Sequence, residues 1–165
     1  MAGTKATMVC GLAAMVVMAL CSPLPARAAP TLCQAGETPV FACPIGRKRL
    51  SVCASKTPAH GQQYVIYRFG KPGRVELEYP ADHRPPRDAF TFDYSISDEH
   101  IREASSLTLS FLWGGARYTV FREIFDATVE KEGVRVSSPK RTIELPCASP
   151  ATLNLRLLRR LFAKP

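Results

Sequence analysis

Apolar and polar residues alternate along much of this chain, and this pattern constrains its fold more than any other feature. The alternation has a period of two in segments 74–79, 89–96 and 106–113. A period of two places the apolar side chains on one face of a β-strand. Strands with one apolar and one polar face favour antiparallel sheets that are packed on one side only. The pattern therefore predicts an all-β domain.

Turns that contain glycine separate these segments. Gly114-Gly115 and Gly70-Lys71-Pro72-Gly73 each join two strand-like runs, as in β-hairpins. We expect about eight or nine antiparallel strands in a small barrel or sandwich. The predicted strands cover residues 39–45, 48–54, 62–69, 74–79, 89–96, 106–113, 116–124, 127–136 and 141–146. Segment 97–104 is predicted to be a loop or one helical turn, and segment 81–88, with its two adjacent prolines, a loop.

The N-terminus has the features of a secretory signal peptide. Lys5 precedes an apolar run from about Met8 to Cys21, which is shorter than the ~18–20 residues of a membrane span. Ala26-Arg27-Ala28 then fits the small-x-small cleavage pattern. We expect residues 1–28 to be removed. The alternatives are a lipoprotein signal acylated at Cys21 and a short N-terminal anchor.

Cleavage would leave a domain-sized, basic protein. Removing 28 of 165 residues leaves 137, which suits one domain with its own core. We divide them into a β domain at 29–147 and a basic C-terminal tail or helix at 148–165. The signal carries two basic and no acidic residues, so the formal net charge falls from +8 to +6. Such a charge favours attraction to an anionic envelope surface.

Four cysteines remain after the predicted cleavage, and an even number in an exported chain indicates two disulfides. These residues are Cys33, Cys43, Cys53 and Cys147. Sequence alone does not choose among their three pairings. We favour Cys33 with Cys147 and Cys43 with Cys53, because the last two flank a predicted hairpin. A zinc site is the alternative, but its usual short C-x₂₋₄-C pairs do not occur, and we predict neither a metal nor a cofactor.

The C-terminal stretch 151–165 differs from the rest of the chain. Its leucines at 153, 157, 158 and 161 have helix-like spacing. Its basic residues are Arg156, Arg159, Arg160 and Lys164. One interpretation is an amphipathic helix that contacts anionic lipid or polysaccharide. The other is a terminal tail that covers one edge of the core or frays in solvent.

Residues that carry catalysis are scarce. The histidines, all in predicted loops without partner spacing, are His60, His83 and His100. The paired carboxylates are Glu76 with Glu78 and Asp98 with Glu99. No G-x-S-x-G motif marks a serine nucleophile, and oxidised cysteines do not act as nucleophiles. We predict that the protein is not an enzyme.

Aromatic residues adjoin arginines at two places in the chain, and exposed clusters of this kind bind sugars or protein partners. The predicted binding surface consists of Tyr67, Arg68, Trp113, Arg117 and Tyr118. The alternative is that these residues belong to the core and its turns. Nucleic acid is not an expected partner, because the chain lacks an interleaved basic and aromatic groove.

Several segments resemble a group of uncharacterised secreted or periplasmic bacterial proteins. They are FACPIGRKRLSVCAS (41–55), YVIYRFGKPGRVELEYP (64–80), GGARYTVFREI (114–124), GVRV (133–136) and the late Cys147. The resemblance spans most of residues 33–147, and it implies compartment and fold only. SISDEHIREASS (95–106) replaces the glycine-rich loop that is usual in that group.

The chain has a more distant similarity to periplasmic or membrane-bound inhibitors of c-type lysozyme, which are small β-barrels. FACPIG at 41–46 and Gly115-Ala116-Arg117-Tyr118 carry this similarity, with Gly114 where those inhibitors have serine. A basic inhibitor would, however, be repelled by the basic lysozyme.

We therefore expect a non-enzymatic, periplasmic or secreted protein that binds a cell-envelope polymer or another envelope protein. An inhibitor of an envelope-directed enzyme such as lysozyme is the alternative, and a hydrolase is the third possibility.

Overall fold

The computed structural model of the protein describes residues 30–57, 63–99 and 102–163. The predicted signal peptide lies outside the described residues. The first strands in chain order are β1 (Glu37–Ile45), β2 (Lys48–Ser55), β3 (Val65–Lys71) and β4 (Arg74–Tyr79). They are followed by helix α1 (Pro86–Ala89), β5 (Thr91–Glu99), β6 (Arg102–Trp113), β7 (Ala116–Phe125) and β8 (Thr128–Ser137). The chain continues with β9 (Thr142–Pro146), β10 (Thr152–Leu153) and helix α2 (Leu155–Leu161).

The strands form two antiparallel sheets of five strands each. Sheet 1 has the order β10-β1-β2-β3-β4, and sheet 2 has the order β5-β6-β7-β8-β9. The prediction of an all-β fold with a short C-terminal helix is confirmed, and the two separate sheets make the fold a sandwich rather than a barrel.

The core lies between the sheets and follows the alternation in the sequence. Alternate residues of β2 (Leu50, Val52) and of β6 (Leu107, Leu109) are at most 3% exposed. Aromatic rings from both sheets meet there, and the Phe111 ring lies 4.9 Å from that of Tyr67. The apolar faces of the two sheets thus cover each other.

One long hairpin was predicted incorrectly. β5 continues to Glu99 and β6 begins at Arg102, so most of segment 97–104 is strand rather than loop or helical turn. The pairing of Ser97 with Ala104 continues the same register. Ile96 on this part of the hairpin is 60% exposed. Backbone pairing continues where the core has ended, so no apolar alternation marks these strand residues in the sequence.

Helix α1 lies partly within segment 81–88, which was predicted to be a loop. It begins at Pro86 and has only four residues. Proline is tolerated in the first helical turn because its missing N–H has no partner there in any case.

The disulfides join Cys33 to Cys53, here called the short bridge, and Cys43 to Cys147, here called the long bridge. All four cysteines are paired as predicted, but the favoured pairing is wrong. Cys43 on β1 pairs with Leu50 on β2, and Leu50 is three residues along β2 from Cys53. Cys43 and Cys53 also lie on opposite faces of the sheet. Three residues span about 10 Å of strand, and a disulfide requires Cα atoms within about 7 Å.

The C-terminal segment is part of the sandwich. Leu153 of β10 pairs with Phe41 on the edge of sheet 1. The Asn154 side chain then accepts a hydrogen bond from the Leu157 N–H (3.1 Å) and caps α2. Leu158 on α2 is 1% exposed and packs in the core. The segment covers an edge of the core, as the second interpretation of its sequence predicted.

Two disulfides indicate an oxidising, extracytoplasmic environment for this protein. Among the helices within the described residues, none has the length and apolar character to cross a membrane.

Candidate functional site

The outer face of sheet 1 is covered by the segment that precedes β1. Leu32 donates its N–H to the Ser51 hydroxyl on β2 (3.0 Å), and the short bridge ties the same segment to β2. Leu32 is 9% exposed as a result. This face of sheet 1 is therefore closed to a partner at its centre.

Arg68 lies beneath this covering segment and not on a binding surface, so the prediction for it is wrong. It is 1% exposed, and its guanidinium contacts both carboxylate oxygens of Glu37 at 2.5 and 3.0 Å. Its Nε donates to Glu78 at 2.6 Å. Two carboxylates compensate the buried charge, and the planar guanidinium suits this two-point contact.

Tyr67 also lies in the interior, which corrects its predicted role. It is 1% exposed on the face of β3 opposite to Arg68, with its ring 4.9 Å from Phe111 and 6.2 Å from Tyr118. Burial raises its pKa above the usual range, and Tyr118 adds to the rise. Tyr67 is a core aromatic.

The other three predicted residues lie near the turn between β6 and β7, with Trp113 and Tyr118 on the core-side face of the hairpin and Arg117 on its outer face. Trp113 is 48% exposed, and its ring lies 6.1 Å from that of Tyr118 in an edge-on arrangement. Arg117 is exposed and pairs in register with Leu112, which is 64% exposed. We call Leu112, Trp113, Arg117 and Tyr118 the aromatic hairpin. Sequence reasoning missed only Leu112, whose position before Trp113 on the outward face of β6 was the available signal.

The turn of the aromatic hairpin depends on two glycines. Gly114 and Gly115 have φ values of +57° and +75°, as a type I′ hairpin turn requires. A side chain at either position is strained in this backbone conformation. The turn therefore fixes how Trp113 is presented.

A continuous row of aromatic rings connects the exposed tryptophan with the core. The Tyr118 ring stacks on Phe111 at 5.1 Å, and Phe111 stacks on Tyr79 at 4.3 Å. Phe90 contacts both Phe111 and Tyr79 at 5.5 Å. Aromatic pairs of this kind each add about 1 kcal/mol beyond the burial of area. Trp113 is thus connected to the core through packed aromatic rings.

The described candidates for catalysis already have structural partners. Glu76 forms an ion pair with Lys48 at 2.5 Å, and Glu78 binds Arg68. His83 stacks on Tyr64, with ring centroids 4.2 Å apart. His60 and His100 lie outside the described residues, as do the side chains of Asp98 and Glu99.

Three glutamates line a groove of about 300 Å³ beside β8 and β9: Glu130, Glu132 and Glu144. Arg122 and the Ala151 N–H both donate to Glu132 at 2.6 Å. Arg135 donates to Glu144 at 2.6 Å. Two of the three carboxylates therefore hold arginines and the C-terminal segment in place.

Among the described residues, one group of side chains has ligand-like spacing for a metal. The sulfurs of Cys33 and Cys53 and a carboxylate oxygen of Glu37 lie within 4.8 Å of one another. Both sulfurs belong to the short bridge, and both oxygens of Glu37 accept hydrogen bonds from Arg68. Metal ligation by cysteine requires a thiolate, so this group is structural.

The leucines of α2, which could have inserted into lipid in the amphipathic-helix interpretation, pack against the core in the structure. Leu158 is buried, and Leu155, Leu157 and Leu161 pack against the core. Arg156, Arg159 and Arg160 are exposed, whereas Lys164 lies outside the described residues. The Arg159 guanidinium lies 5.5 Å from the Tyr94 ring. α2 therefore presents charge to its surroundings, without a free leucine face for insertion.

No family model, curated protein or solved structure matches this chain. The resemblances to secreted bacterial proteins and to lysozyme inhibitors stay predictions.

Proposed function

We propose that this protein is an exported, non-enzymatic binding module of the cell envelope, periplasmic or secreted, which contacts an envelope protein through the aromatic hairpin. The observation that carries this proposal is the exposure of Trp113. It is the only exposed residue among the fourteen phenylalanines, tyrosines and tryptophan, all of which lie within the described residues. The disulfides and the predicted signal peptide support the compartment.

The composition of the hairpin resembles the centre of a protein interface. Tryptophan, tyrosine and arginine are the residues most enriched among interface hot spots. About 100 Å² of Trp113 surface remains to be buried, which corresponds to roughly 2.5 kcal/mol of binding free energy. The glycine turn and the row of packed aromatic rings hold Trp113 in place, so the hairpin loses less conformational entropy when it binds a partner.

Co-sedimentation with envelope fractions tests this proposal. Binding should persist in 0.5 M salt, because screening weakens charge contacts far more than burial of Trp113. In 0.5 M salt, Trp113→Ala should weaken binding by about 30-fold or more, which corresponds to 2 kcal/mol or more. Ile96→Ala is the matched control, since Ile96 is 60% exposed on β5 outside the aromatic hairpin. Equal binding by both variants would contradict the proposal.

The aromatic hairpin also favours a second candidate, an inhibitor whose turn enters the cleft of an envelope-directed enzyme such as lysozyme. A narrow glycine turn with Trp113 at its base has a shape that suits a cleft. The net charge of +6 opposes approach to a basic lysozyme. Near-stoichiometric inhibition of cell-wall hydrolysis, lost in Trp113→Ala, would select this candidate over the first.

A further inference from the structure

Two short runs of basic residues meet at one end of sheet 1. Arg47, Lys48 and Arg49 lie in or beside the turn between β1 and β2. Lys71 and Arg74 flank the turn between β3 and β4 and pair with each other in register. We call these five residues the basic turns.

The register of β2 with β3 places the two turns at the same end. Arg49 at the start of β2 pairs with Gly70 near the end of β3. Neighbouring strands lie about 4.8 Å apart, so the centres of the two turns are separated by about 10 Å. The five basic residues therefore gather at one narrow end of the sheet, although Arg49 and Gly70 are 21 positions apart in the chain.

The basic turns carry an excess of positive charge. Glu76 is the acidic residue that contacts them, through its ion pair with Lys48 at 2.5 Å. The hydrogen bond from Lys48 lowers the pKa of Glu76, and the charges of Arg74 and Lys71 add to this effect. With Glu76 ionised, the five basic residues and this carboxylate sum to +4. Arg47, Lys71 and Arg74 are exposed.

An apolar residue accompanies these charges. Val75, next to Arg74, is 43% exposed. Exposed cations around a small apolar contact suit the headgroup region of an anionic bilayer, where charge attraction and apolar burial act together. A hydrated polyanionic glycan offers no comparable place for Val75.

We propose that the basic turns form a docking site for the phosphate headgroups of an anionic membrane surface. This site is distinct from the aromatic hairpin, which belongs to sheet 2. It is also distinct from α2, whose leucines pack in or against the core. The contact is peripheral and electrostatic, so it weakens as salt screens the charges.

Vesicle flotation with the full exported chain tests the proposal. The probes are vesicles of phosphatidylglycerol with phosphatidylcholine, and vesicles of phosphatidylcholine alone. Each basic residue near an anionic bilayer strengthens binding by about fivefold. R47Q/R74Q should therefore bind the anionic vesicles about 30-fold more weakly at low salt, and 0.5 M salt should abolish binding of the unchanged protein.

A charge-matched variant separates this site from a general effect of net charge. R156Q/R160Q also loses two exposed arginines, and we expect it to retain most of the vesicle binding. Trp113→Ala should bind vesicles normally, so failure of the membrane proposal and failure of the proposed function are distinguishable. Thermal unfolding checks that both double variants stay folded.

Three results would overturn the membrane proposal. The first is an equal loss of binding in both double variants, which would assign the effect to net charge. The second is equal binding of the unchanged protein to neutral and anionic vesicles. The third is strong binding to a soluble polyphosphate or sulfated glycan, lost in R47Q/R74Q, without binding to anionic vesicles. That pattern would assign the basic turns to a polymer instead.

Discussion

The ion pair of Glu37 with Arg68 is the most sensitive point at which to test how sheet 1 is stabilised. The two side chains are 1% and 2% exposed, respectively, and two hydrogen bonds join them. Glu37→Gln keeps the size and shape of the side chain but removes its charge. Arg68 then depends on Glu78, whose side chain is 37% exposed.

The size of the effect follows from the burial of the pair. Removing one partner of a buried ion pair costs about 3–5 kcal/mol, because the other charge is left without compensation. Glu78 still binds Arg68 in this variant, so we expect a loss of about 3 kcal/mol at neutral pH. Glu78→Gln is the control and should cost about 1 kcal/mol, since water screens that carboxylate.

The same pair predicts how stability depends on pH. Burial alone would raise the pKa of Glu37, but hydrogen bonds from Arg68 and the Gln34 N–H, with the charge of Arg68, hold this pKa below the usual value of a glutamate. A carboxyl whose folded pKa is depressed stabilises the fold above its unfolded pKa. This contribution is lost as the pH falls through the folded value. The stability difference between the unchanged protein and Glu37→Gln should therefore narrow below about pH 4.

Urea unfolding followed by far-ultraviolet circular dichroism measures both effects. The free energy of unfolding is compared among the unchanged protein, Glu37→Gln and Glu78→Gln at pH 7 and at pH 3. A loss below about 1 kcal/mol for Glu37→Gln at pH 7 would refute the reasoning. A stability difference that stays constant between the two pH values would refute the assigned role of the Glu37 charge.

Further predictions concern the disulfides, a close backbone approach and the C-terminal helix. Replacing both cysteines of the long bridge by serine should lower the free energy of unfolding by about 5 kcal/mol, whereas the same replacement in the short bridge should lower it by about 3 kcal/mol. The long bridge contributes more because its residues are 104 positions apart and those of the short bridge only 20. Equal losses for the two variants in urea titrations would contradict this. Gly133→Ala should lower the free energy of unfolding by more than about 2 kcal/mol, because the added methyl group would collide with the backbone of Leu145 and the φ of +156° disfavours a side chain. Gly36→Ala is the control: it has open space around it and should be nearly neutral in the same assay. Leu158→Ala should lower the free energy of unfolding by about 2–5 kcal/mol, because Leu158 is buried in the core. Arg156→Ala should lower it by less than about 0.5 kcal/mol. Thermal unfolding compares the two variants, and equal melting temperatures would show that α2 does not pack in the core.

The strands were predictable where one face of a sheet meets the core. In β6, Leu107, Leu109 and Phe111 are buried, and the prediction of a strand at 106–113 is close to the observed one. The same reasoning failed at 97–104, where the hairpin extends past the core and the paired residues are mostly polar or charged, as in Asp98 with Glu103 and Glu99 with Arg102. Backbone hydrogen bonds stabilise that part of the hairpin. Such bonds do not require apolar and polar side chains to alternate, so the sequence contains no pattern that predicts the strands there.

The candidate surface was predictable only in part, for a related reason. Neighbouring residues of a strand face opposite sides of the sheet, so Tyr67 and Arg68 could not share the one surface predicted for them. The alternation also does not reveal what covers each face. Sheet 2 covers Tyr67, and the segment around Leu32 covers Arg68. Both coverings come from residues distant in the chain, whereas Trp113 is exposed because its own glycine turn ends the hairpin.

The sequence by itself determined the all-β character of this protein, the involvement of four of its six cysteines in disulfides and the glycine turn next to Trp113. These properties depend on the local backbone, on the side-chain period of two and on the parity of cysteines. Only the tertiary structure decided which cysteines pair, which arginine is buried between two carboxylates and which basic residues gather at one end of sheet 1. Those outcomes depend on register and on the packing of distant segments, and residues separated by 20 to 104 positions become neighbours only after the sheets have formed.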